Sequence, residues 1–218
     1  ITPQPVPDSA YLQAQDYIAA NRNRAKAYWE TQLQSVEPND LNAILSHTTD
    51  LEQVKIVTTP KERTIQLALP KNFLQQHGLT LYVLAQFAWH KLIHLYTRDE
   101  RTIVGTTVSG RALPIPGIES SVGLYINTLP LVIDWTNKPT ILEQLKKIEM
   151  DVLAMNEYSY AELATLQKEG KRLFHSLFVF ENYPVDEAID GGSNPDSLQL
   201  SFRGAHEKLD YPLCLIAY

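Results

Sequence analysis

Two histidines stand at a spacing that could serve metal chemistry. His90 and His94 lie four residues apart in a run with helical periodicity, so both imidazoles could reach one ion. No Glu adjoins His90, as it does in helical zinc-protease motifs, and the surrounding run is rich in apolar residues. We therefore interpret both histidines as part of an ordinary helix surface and predict no metal site.

Ser109, in the stretch VSGR, is a candidate nucleophile. The G-x-S-x-G elbow of hydrolases is absent around it, and the sequence assigns it no His or Asp partner. The glycines that follow match neither G-x-G-x-x-G nor a phosphate-binding P-loop. We therefore expect neither a serine hydrolase nor a nucleotide-binding protein. The acidic residues Asp186, Glu187 and Asp190 are interpreted as a solvated loop.

Asn127 is unusual because it interrupts an otherwise apolar stretch, LYINTLPLVI. A buried amide that lacks hydrogen-bond partners destabilises a protein by several kcal/mol, so this side chain must find partners. It is either a structural hydrogen-bonding group or a residue that faces a polar cavity. The sequence by itself favours neither interpretation.

Composition narrows the class of protein. The chain has 218 residues, of which 44% are hydrophobic and 20% charged, enough to bury the core of one domain or one lobe. Its net charge of −6 is spread along the chain with no basic run, which argues against nucleic acid as a partner. The single cysteine, Cys214, permits no internal disulfide. With no membrane-length apolar stretch or signal peptide in the sequence, we expect a cytoplasmic protein.

The elements that must position these residues follow from periodicity. Residues 1–9, which begin with the Pro-rich stretch ITPQPVP, are predicted to be a linker, and Asp8 or Ser9 at its end can cap the helix that follows. Thr64–Leu69 alternates as a half-buried strand does. A short helix at Lys71–Gln76 ends before Gly78, and Thr80 caps a strongly apolar helix that we expect to be buried on more than one side.

The second half of the chain is predicted to form strands around one long helix. RTIVGTTV and LYINTLPLVI are predicted strands joined by a Gly- and Pro-rich loop, and Thr140 with Glu143 forms a capping box at the head of ILEQLKKIEMDVLAM. HSLFVFENY, SLQLSFR and YPLCLIAY are the later strands. The order of elements predicts a mixed α/β fold with a partly antiparallel sheet.

Three stretches resemble the condensation domains of nonribosomal peptide synthetases. Residues 104–133, VGTTVSGRALPIPGIESSVGLYINTLPLVI, resemble the family's strand, Ser-Gly-Arg loop and Gly-x-Phe-x-Asn-Thr-Leu-Pro motif, with Tyr125 in the usual Phe position. Residues 173–190, LFHSLFVFENYPVDEAID, are similar to its Phe-Glu-Asn-Tyr-Pro motif. Residues 10–33 resemble the helix between its two lobes, and with residues 69–97 the likeness covers nearly the whole chain in the family's order.

The resemblance implies a fold and a reaction. Residues 10–218 would be the C-terminal lobe of such a domain, truncated at both ends relative to the full domain, with an α/β, chloramphenicol-acetyltransferase-like fold of a mixed sheet and flanking helices. The reaction would join a donor acyl or peptidyl thioester to the amine of an acceptor aminoacyl thioester. Both substrates would arrive on carrier-protein phosphopantetheine arms, so no cofactor is expected on this chain. The expected partners are the N-terminal lobe, the donor and acceptor carrier domains and a neighbouring adenylation domain.

The resemblance also assigns roles to individual residues. The family's His-His-x-x-x-Asp-Gly motif, whose second His is catalytic, is absent, so that His is expected outside this chain and the isolated chain is expected to be inactive. Asn127 matches a motif residue near the reaction centre, where it could bind a substrate carbonyl or oxyanion, a contribution of up to about 4 kcal/mol. The alternative is an Asn that only ties two strands together.

The remaining expected tunnel residues lie on the same strand and in the loop before it. Strand geometry would place Gly123, Tyr125 and Asn127 on one face. The other tunnel residues are Thr128, Ser109 and Arg111, with residues 109–117 as a crossing loop and residues 194–209 as a latch to the other lobe.

Two other functions stay open from the sequence. A condensation-like domain could act only as a docking platform for carrier or tailoring proteins, and an epimerisation domain is a relative with different chemistry. The intact motifs favour condensation over both. If the chain is one lobe of such a domain, we expect its surface that faces the N-terminal lobe to be unusually apolar.

Overall fold

The architecture is a four-stranded sheet with flanking helices. The structure, a computed structural model, describes residues 8–45, 63–167, 170–181 and 210–217. Its helices are α1 (Ala10–Gln32), α2 (Asn42–Leu45), α3 (Lys71–His77), α4 (Leu81–Thr97), α5 (Ile141–Glu157) and α6 (Leu163–Leu166). Its strands are β1 (Arg101–Val108), β2 (Asn127–Asp134), β3 (Ser176–Phe180) and β4 (Leu213–Ala217). No helix in these ranges is both long and apolar enough to cross a bilayer.

The sheet is mixed, as the order of elements predicts. The strands lie in the order β2-β1-β3-β4, with β1 antiparallel to β2 and parallel to β3, and β3 parallel to β4. The β1–β2 pairing runs from Arg101 opposite Asp134 to Val108 opposite Asn127. Residues 102–106 of β1 are all buried, which is typical of an interior strand that is covered on both faces.

Helix α4 forms the core together with β1 and α5, against both of which it packs. Its buried residues are Val83, Gln86, Trp89, His90 and Ile93. Opposite this face, Leu92, Leu95 and Tyr96 are exposed, so the helix is buried on two sides but not all round.

Local signals set the helix ends as predicted. The Thr80 hydroxyl accepts a hydrogen bond from the Val83 backbone N–H at the start of α4, and Thr140 and Glu143 form both bonds of the capping box of α5. Gly78 ends α3 at a φ of 61°, a left-handed conformation that glycine adopts without steric cost. At the start of α1 the acceptor is Asp8, whose carboxylate receives the Ala10 N–H.

The predicted strand at Thr64–Leu69 is wrong. Residues 63–70 form no regular element, and Ile65 and Leu67 have exposed fractions of 76% and 73%. An extended segment becomes a strand only when a neighbour pairs with its backbone groups, and no described strand lies beside this one. Alternation in the sequence could not reveal that missing partner.

The second predicted strand begins later than expected. LYINTLPLVI was expected to pair from Leu124, but β2 starts at Asn127 because the partner strand β1 ends at Val108, opposite that residue. HSLFVFENY contains β3, and YPLCLIAY contains β4. SLQLSFR, the acidic cluster at 186–190, the latch at 194–209 and the linker residues 1–7 lie outside the described residues.

Candidate functional site

Asn127, the first residue of β2, is a structural tie in this fold. Its Nδ2 donates hydrogen bonds to the carbonyl oxygens of Ser159 (2.8 Å) and Ala161 (2.7 Å), and its Oδ1 accepts one from the Thr128 N–H (2.8 Å). Both amide hydrogens are therefore used within the chain. The geometry favours the structural role, and donation to a substrate oxygen would require one of these bonds to break.

The turn that receives Asn127 is held by helix α1. Trp29 Nε1 donates to the Tyr158 carbonyl oxygen (3.1 Å), and the Tyr28 ring stacks on the Tyr158 ring at 4.2 Å between centroids. The Arg24 guanidinium lies over the same Tyr158 ring, 5.2 Å from its centroid. Since three α1 side chains contact Tyr158, the carbonyl groups just after it are fixed in place for Asn127.

An open depression of about 210 Å³ lies beside Asn127. Its apolar lining includes Ile18, Leu113, Leu124 and Ile126, and Gln15 and Glu162 are polar lining residues. Two further lining residues, Ser159 and Tyr160, are buried and carry hydroxyl groups with no hydrogen-bond partner among the described residues. Neither residue could be found from the sequence, because no motif marks a hydroxyl as unpaired.

Tyr125 is buried and not strand-borne. Its hydroxyl is 2.7 Å from Ser121 Oγ, its ring and that of Tyr11 form a T-shaped pair at 5.4 Å between centroids, and the Arg111 guanidinium lies 4.3 Å from the ring centroid. One edge of this residue still reaches the depression. The expectation that Gly123 and Tyr125 lie on a strand with Asn127 is wrong, since only Asn127 lies within β2, although Gly123 and Tyr125 do face the same side.

The crossing loop between β1 and β2 is tied by Arg111. Its Nη1 donates to the carbonyl oxygens of Ser121 (2.9 Å) and Ile118. Ser109 is an exposed residue, and its Oγ accepts a long hydrogen bond from the Arg111 N–H (3.4 Å). Both residues therefore shape the loop.

Glycine is required where two chain segments meet at this site. A Cβ atom on Gly110 would lie 1.8 Å from the Tyr125 carbonyl oxygen, and one on Gly123 would lie 2.3 Å from the Tyr11 ring. These contacts pack the crossing loop against the entry to β2, and the entry to β2 against α1. Thr128, half-buried, sits opposite Thr107 in the sheet.

Three apolar side chains project outward just before β2. Val122, Leu124 and Ile126 have exposed fractions of 88%, 84% and 59%, and we call them the apolar row. Tyr125, between them, points the other way into the core. Alternation therefore persists here without a strand partner, and it places large apolar groups in water next to Asn127.

The prediction that His90 and His94 both lie on the surface of a helix is wrong for His90. His90 is fully buried, with Nδ1 2.8 Å from Thr102 Oγ1, which also accepts a hydrogen bond from Trp135 Nε1 (3.0 Å). Either the Thr102 hydroxyl or the His90 ring can be the donor in this pair, and His90 Nε2 is buried with no hydrogen-bond partner among the described residues. Burial lowers the pKa of His90 to about 3. His94 stacks on Trp135, and no metal-binding cluster occurs among the described residues.

Comparison with known proteins identifies the family. The chain matches the family model described as "Condensation domain" over residues 2–218. It is 36% identical to N-(5-amino-5-carboxypentanoyl)-L-cysteinyl-D-valine synthase of Penicillium rubens, over 96% of this chain and 6% of that protein. It is 33% identical to a linear gramicidin synthase of Brevibacillus parabrevis, over 95% of this chain and 4% of the relative.

Solved structures show the same fold. The first condensation domain of the calcium-dependent antibiotic synthetase superposes with a TM-score of 0.62 at 17% identity, over 81% of this chain and 39% of that chain. The starter condensation domain of rhizomide synthetase gives a TM-score of 0.59 at 21% identity, over 77% and 37%. The expected chloramphenicol-acetyltransferase-like α/β fold is confirmed, and this chain belongs to the condensation domain family of nonribosomal peptide synthetases.

Proposed function

We propose that this chain is the C-terminal lobe of a condensation domain that forms an amide bond between two carrier-bound thioesters. The observation that carries this proposal is the family match along residues 2–218. The second support is the fold, which matches a solved condensation-domain chain over 39% of that chain. In this reaction the acceptor amine attacks the donor thioester carbonyl, the C–S bond breaks, and the thiol leaves as the amine loses a proton.

The exposure of the apolar row supports the proposal that another surface covers this side of the lobe. Burial of apolar surface stabilises a protein by roughly 25 cal/mol per Å², so three large side chains exposed together favour a covering surface. Val122, Leu124 and Ile126 adjoin Asn127 and the depression. We assign the N-terminal lobe of the same domain as the surface that covers them.

The catalytic His belongs to that other lobe in this proposal, and the isolated chain forms no amide. Asn127 then acts first as a positioning residue, because its two amide hydrogens hold the turn at Ser159 and Ala161. The second lone pair of its Oδ1 remains available to accept a hydrogen bond from a substrate N–H. The other tunnel residues proposed are Gly123, Tyr125, Thr128, Ser109 and Arg111.

The substrates come to the site on other domains. We propose that donor and acceptor carrier domains deliver them on phosphopantetheine arms and that an adenylation domain neighbours this one. The Penicillium rubens relative is by its name the synthase of a peptide, an acylated cysteinyl-valine, which supports this arrangement. This chain itself is proposed to bind no cofactor.

The test uses the full-length protein that carries this chain. Its carriers are loaded, and the upstream acyl group is followed by mass spectrometry of the downstream carrier. We expect amide formation by the wild type and a roughly tenfold or greater loss in Asn127→Ala, since the turn loses two hydrogen bonds beside the site. Asn137→Ala, at an exposed position, is the matched control.

Each outcome separates the candidate functions. An amide-linked product on the downstream carrier supports condensation. An unextended product with inverted stereochemistry would instead indicate an epimerisation domain. Loaded carriers that bind this domain and yield neither product would favour the docking platform.

A further inference from the structure

Asp8 holds together two segments that are distant in sequence. Its Oδ1 accepts a hydrogen bond from the Ala10 N–H (3.0 Å) at the start of α1. Its Oδ2 accepts two bonds from the other side of the site, from the Ser121 hydroxyl (2.8 Å) and the Val122 N–H (2.9 Å). One carboxylate therefore fastens the first turn of α1 to the first residue of the apolar row.

The direction of these hydrogen bonds can be worked out. Because the Ser121 hydroxyl has a single hydrogen and donates it to Asp8, the neighbouring Tyr125 hydroxyl, 2.7 Å away, must donate to Ser121 Oγ. The result is a chain from Tyr125 through Ser121 to Asp8 that ends on a negative charge. Hydrogen bonds to an ionised acceptor are about twice as strong as neutral ones.

Arg111 closes the network from the crossing loop. Its guanidinium binds the Ser121 and Ile118 carbonyl oxygens and covers the Tyr125 ring. Asp8 and Arg111 thus hold Ser121 from two sides, through its side chain and through its carbonyl. The residues that they fix lead directly into Leu124, Ile126 and Asn127, which line the depression.

We propose that Asp8 is a positioning residue for the condensation site. By fastening Ser121 and Val122 to helix α1, it sets the position of the apolar row and of the depression wall that leads to Asn127. This inference rests on the proposed function. Asp8 itself is exposed, so its role is local and its loss leaves the core of the lobe intact.

Substitution by asparagine tests this role with little change in shape. An asparagine has one acceptor oxygen where Asp8 uses two, and its NH₂ group would face either the Ala10 N–H or the Val122 N–H. At least one of the three bonds must therefore break. The matched control is Asp16→Asn, which makes the same change at an exposed position of α1.

The experiment measures the wall and the reaction separately in the full-length protein. Hydrogen exchange by mass spectrometry follows residues 119–128 against α5. Pyrophosphate exchange first identifies the amino acid that the protein activates. The aminoacyl-pantetheine thioester of that amino acid then serves as the acceptor, and amide formation with it is followed. We expect Asp8→Asn to speed exchange in residues 119–128 about tenfold and leave α5 unchanged. The KM for the acceptor should rise about tenfold with kcat within about twofold, because a displaced wall weakens binding of substrate and transition state equally.

Other results would overturn the inference. If Asp8→Asn exchanged faster but kept the KM of Asp16→Asn, the carboxylate would be structural only. If exchange were also unchanged, the hydrogen bonds would not hold the wall. If Asp8→Asn speeds exchange throughout the lobe, Ser121→Ala is used in its place. An unchanged KM for the acceptor in Ser121→Ala would equally refute the positioning role of Asp8. A wild-type protein that forms no amide would overturn the proposed function, while exchange still tests the contacts.

Discussion

Two hydrogen-bond chains lie near opposite ends of the β1–β2 pair, and they differ in burial and charge. At one end Trp135 donates to the Thr102 hydroxyl, which is hydrogen-bonded to the neutral, buried imidazole of His90. At the other end Tyr125 donates to Ser121, which donates to the exposed, charged carboxylate of Asp8. The first chain must be neutral because no water reaches its end, and the second can keep a charge because water does.

One of these chains lies in the core, and the other lies beside the proposed site. The His90 chain lies between α4, β1 and the residue after β2, where any lost bond leaves a buried group unpaired. The Asp8 chain lies beside the apolar row and the depression. We therefore expect damage to the first chain to reduce stability, and damage to the second to change the site while leaving stability nearly unchanged.

The largest expected effect is that of Thr102→Val. This change keeps the shape of the side chain but removes the partner of both Trp135 Nε1 and His90 Nδ1, so two buried polar groups lose their bonds. We expect the free energy of unfolding to fall by about 3 kcal/mol. Chemical denaturation measures it, with Thr107→Val on the same strand as the half-buried control. Equal losses in the two variants would contradict the buried chain.

A second expected effect is a pH dependence that belongs to His90 and not to Asp8. The folded-state pKa of His90, about 3, is below its ordinary 6.5, so the unfolded chain takes up the proton first. Stability is full above pH 6.5 and falls as the pH is lowered towards 3, by up to about 1.4 kcal/mol per unit. Denaturation at several pH values measures this slope, and His90→Leu should flatten it.

The hydrogen bonds of Asp8 should be insensitive to pH over the same range. The hydrogen bond from Ser121, followed by that from Val122, holds the pKa of the Asp8 carboxyl below its ordinary 3.8. The Asp8 carboxyl therefore stays charged over the pH range in which His90 of the unfolded chain takes up its proton. Exchange protection in residues 119–128, relative to global stability, should not change between pH 7 and pH 5; a loss there would break the contrast between the two ends.

The smallest expected effect on stability is that of Leu124→Ser. This side chain has an exposed fraction of 84%, so the free energy of unfolding should change by less than about 0.5 kcal/mol. Affinity for a separately prepared N-terminal lobe should nevertheless fall about tenfold, because the apolar row loses its most central member. Calorimetric titration measures that affinity. Leu153→Ser on α5, with an exposed fraction of 65%, is the control and should leave affinity unchanged.

Much of the fold could be predicted because its signals are local. The capping box at Thr140 and Glu143 and the left-handed Gly78 need only nearby residues, and the bounds of β1 are those of the predicted strand RTIVGTTV. The start of β2 could not be predicted, since it depends on where the partner strand ends. The burial of His90 depends likewise on Thr102 of another element.

Only part of the candidate site could be predicted: its motif residues could be recognised, but Ser159, Tyr160 and the arrangement could not. The motif that contains Asn127 and Tyr125 could be recognised from the sequence, yet the partners of Asn127 lie 32 and 34 residues further along the chain. Asp8 entered the sequence analysis only as a candidate helix cap, because nothing in the sequence shows that Ser121 and Val122 lie beside it.

Helix α1 contacts both walls of the depression, so the stability of both walls depends on this helix. At its first turn Asp8 and Tyr11 hold the entry to β2, and near its end Tyr28 and Trp29 hold the turn that receives Asn127. Its other buried residues are alanines, which add little apolar area to the core. The helix, the two walls and the depression should therefore open together as one cooperative unit, before β1 and α4 unfold.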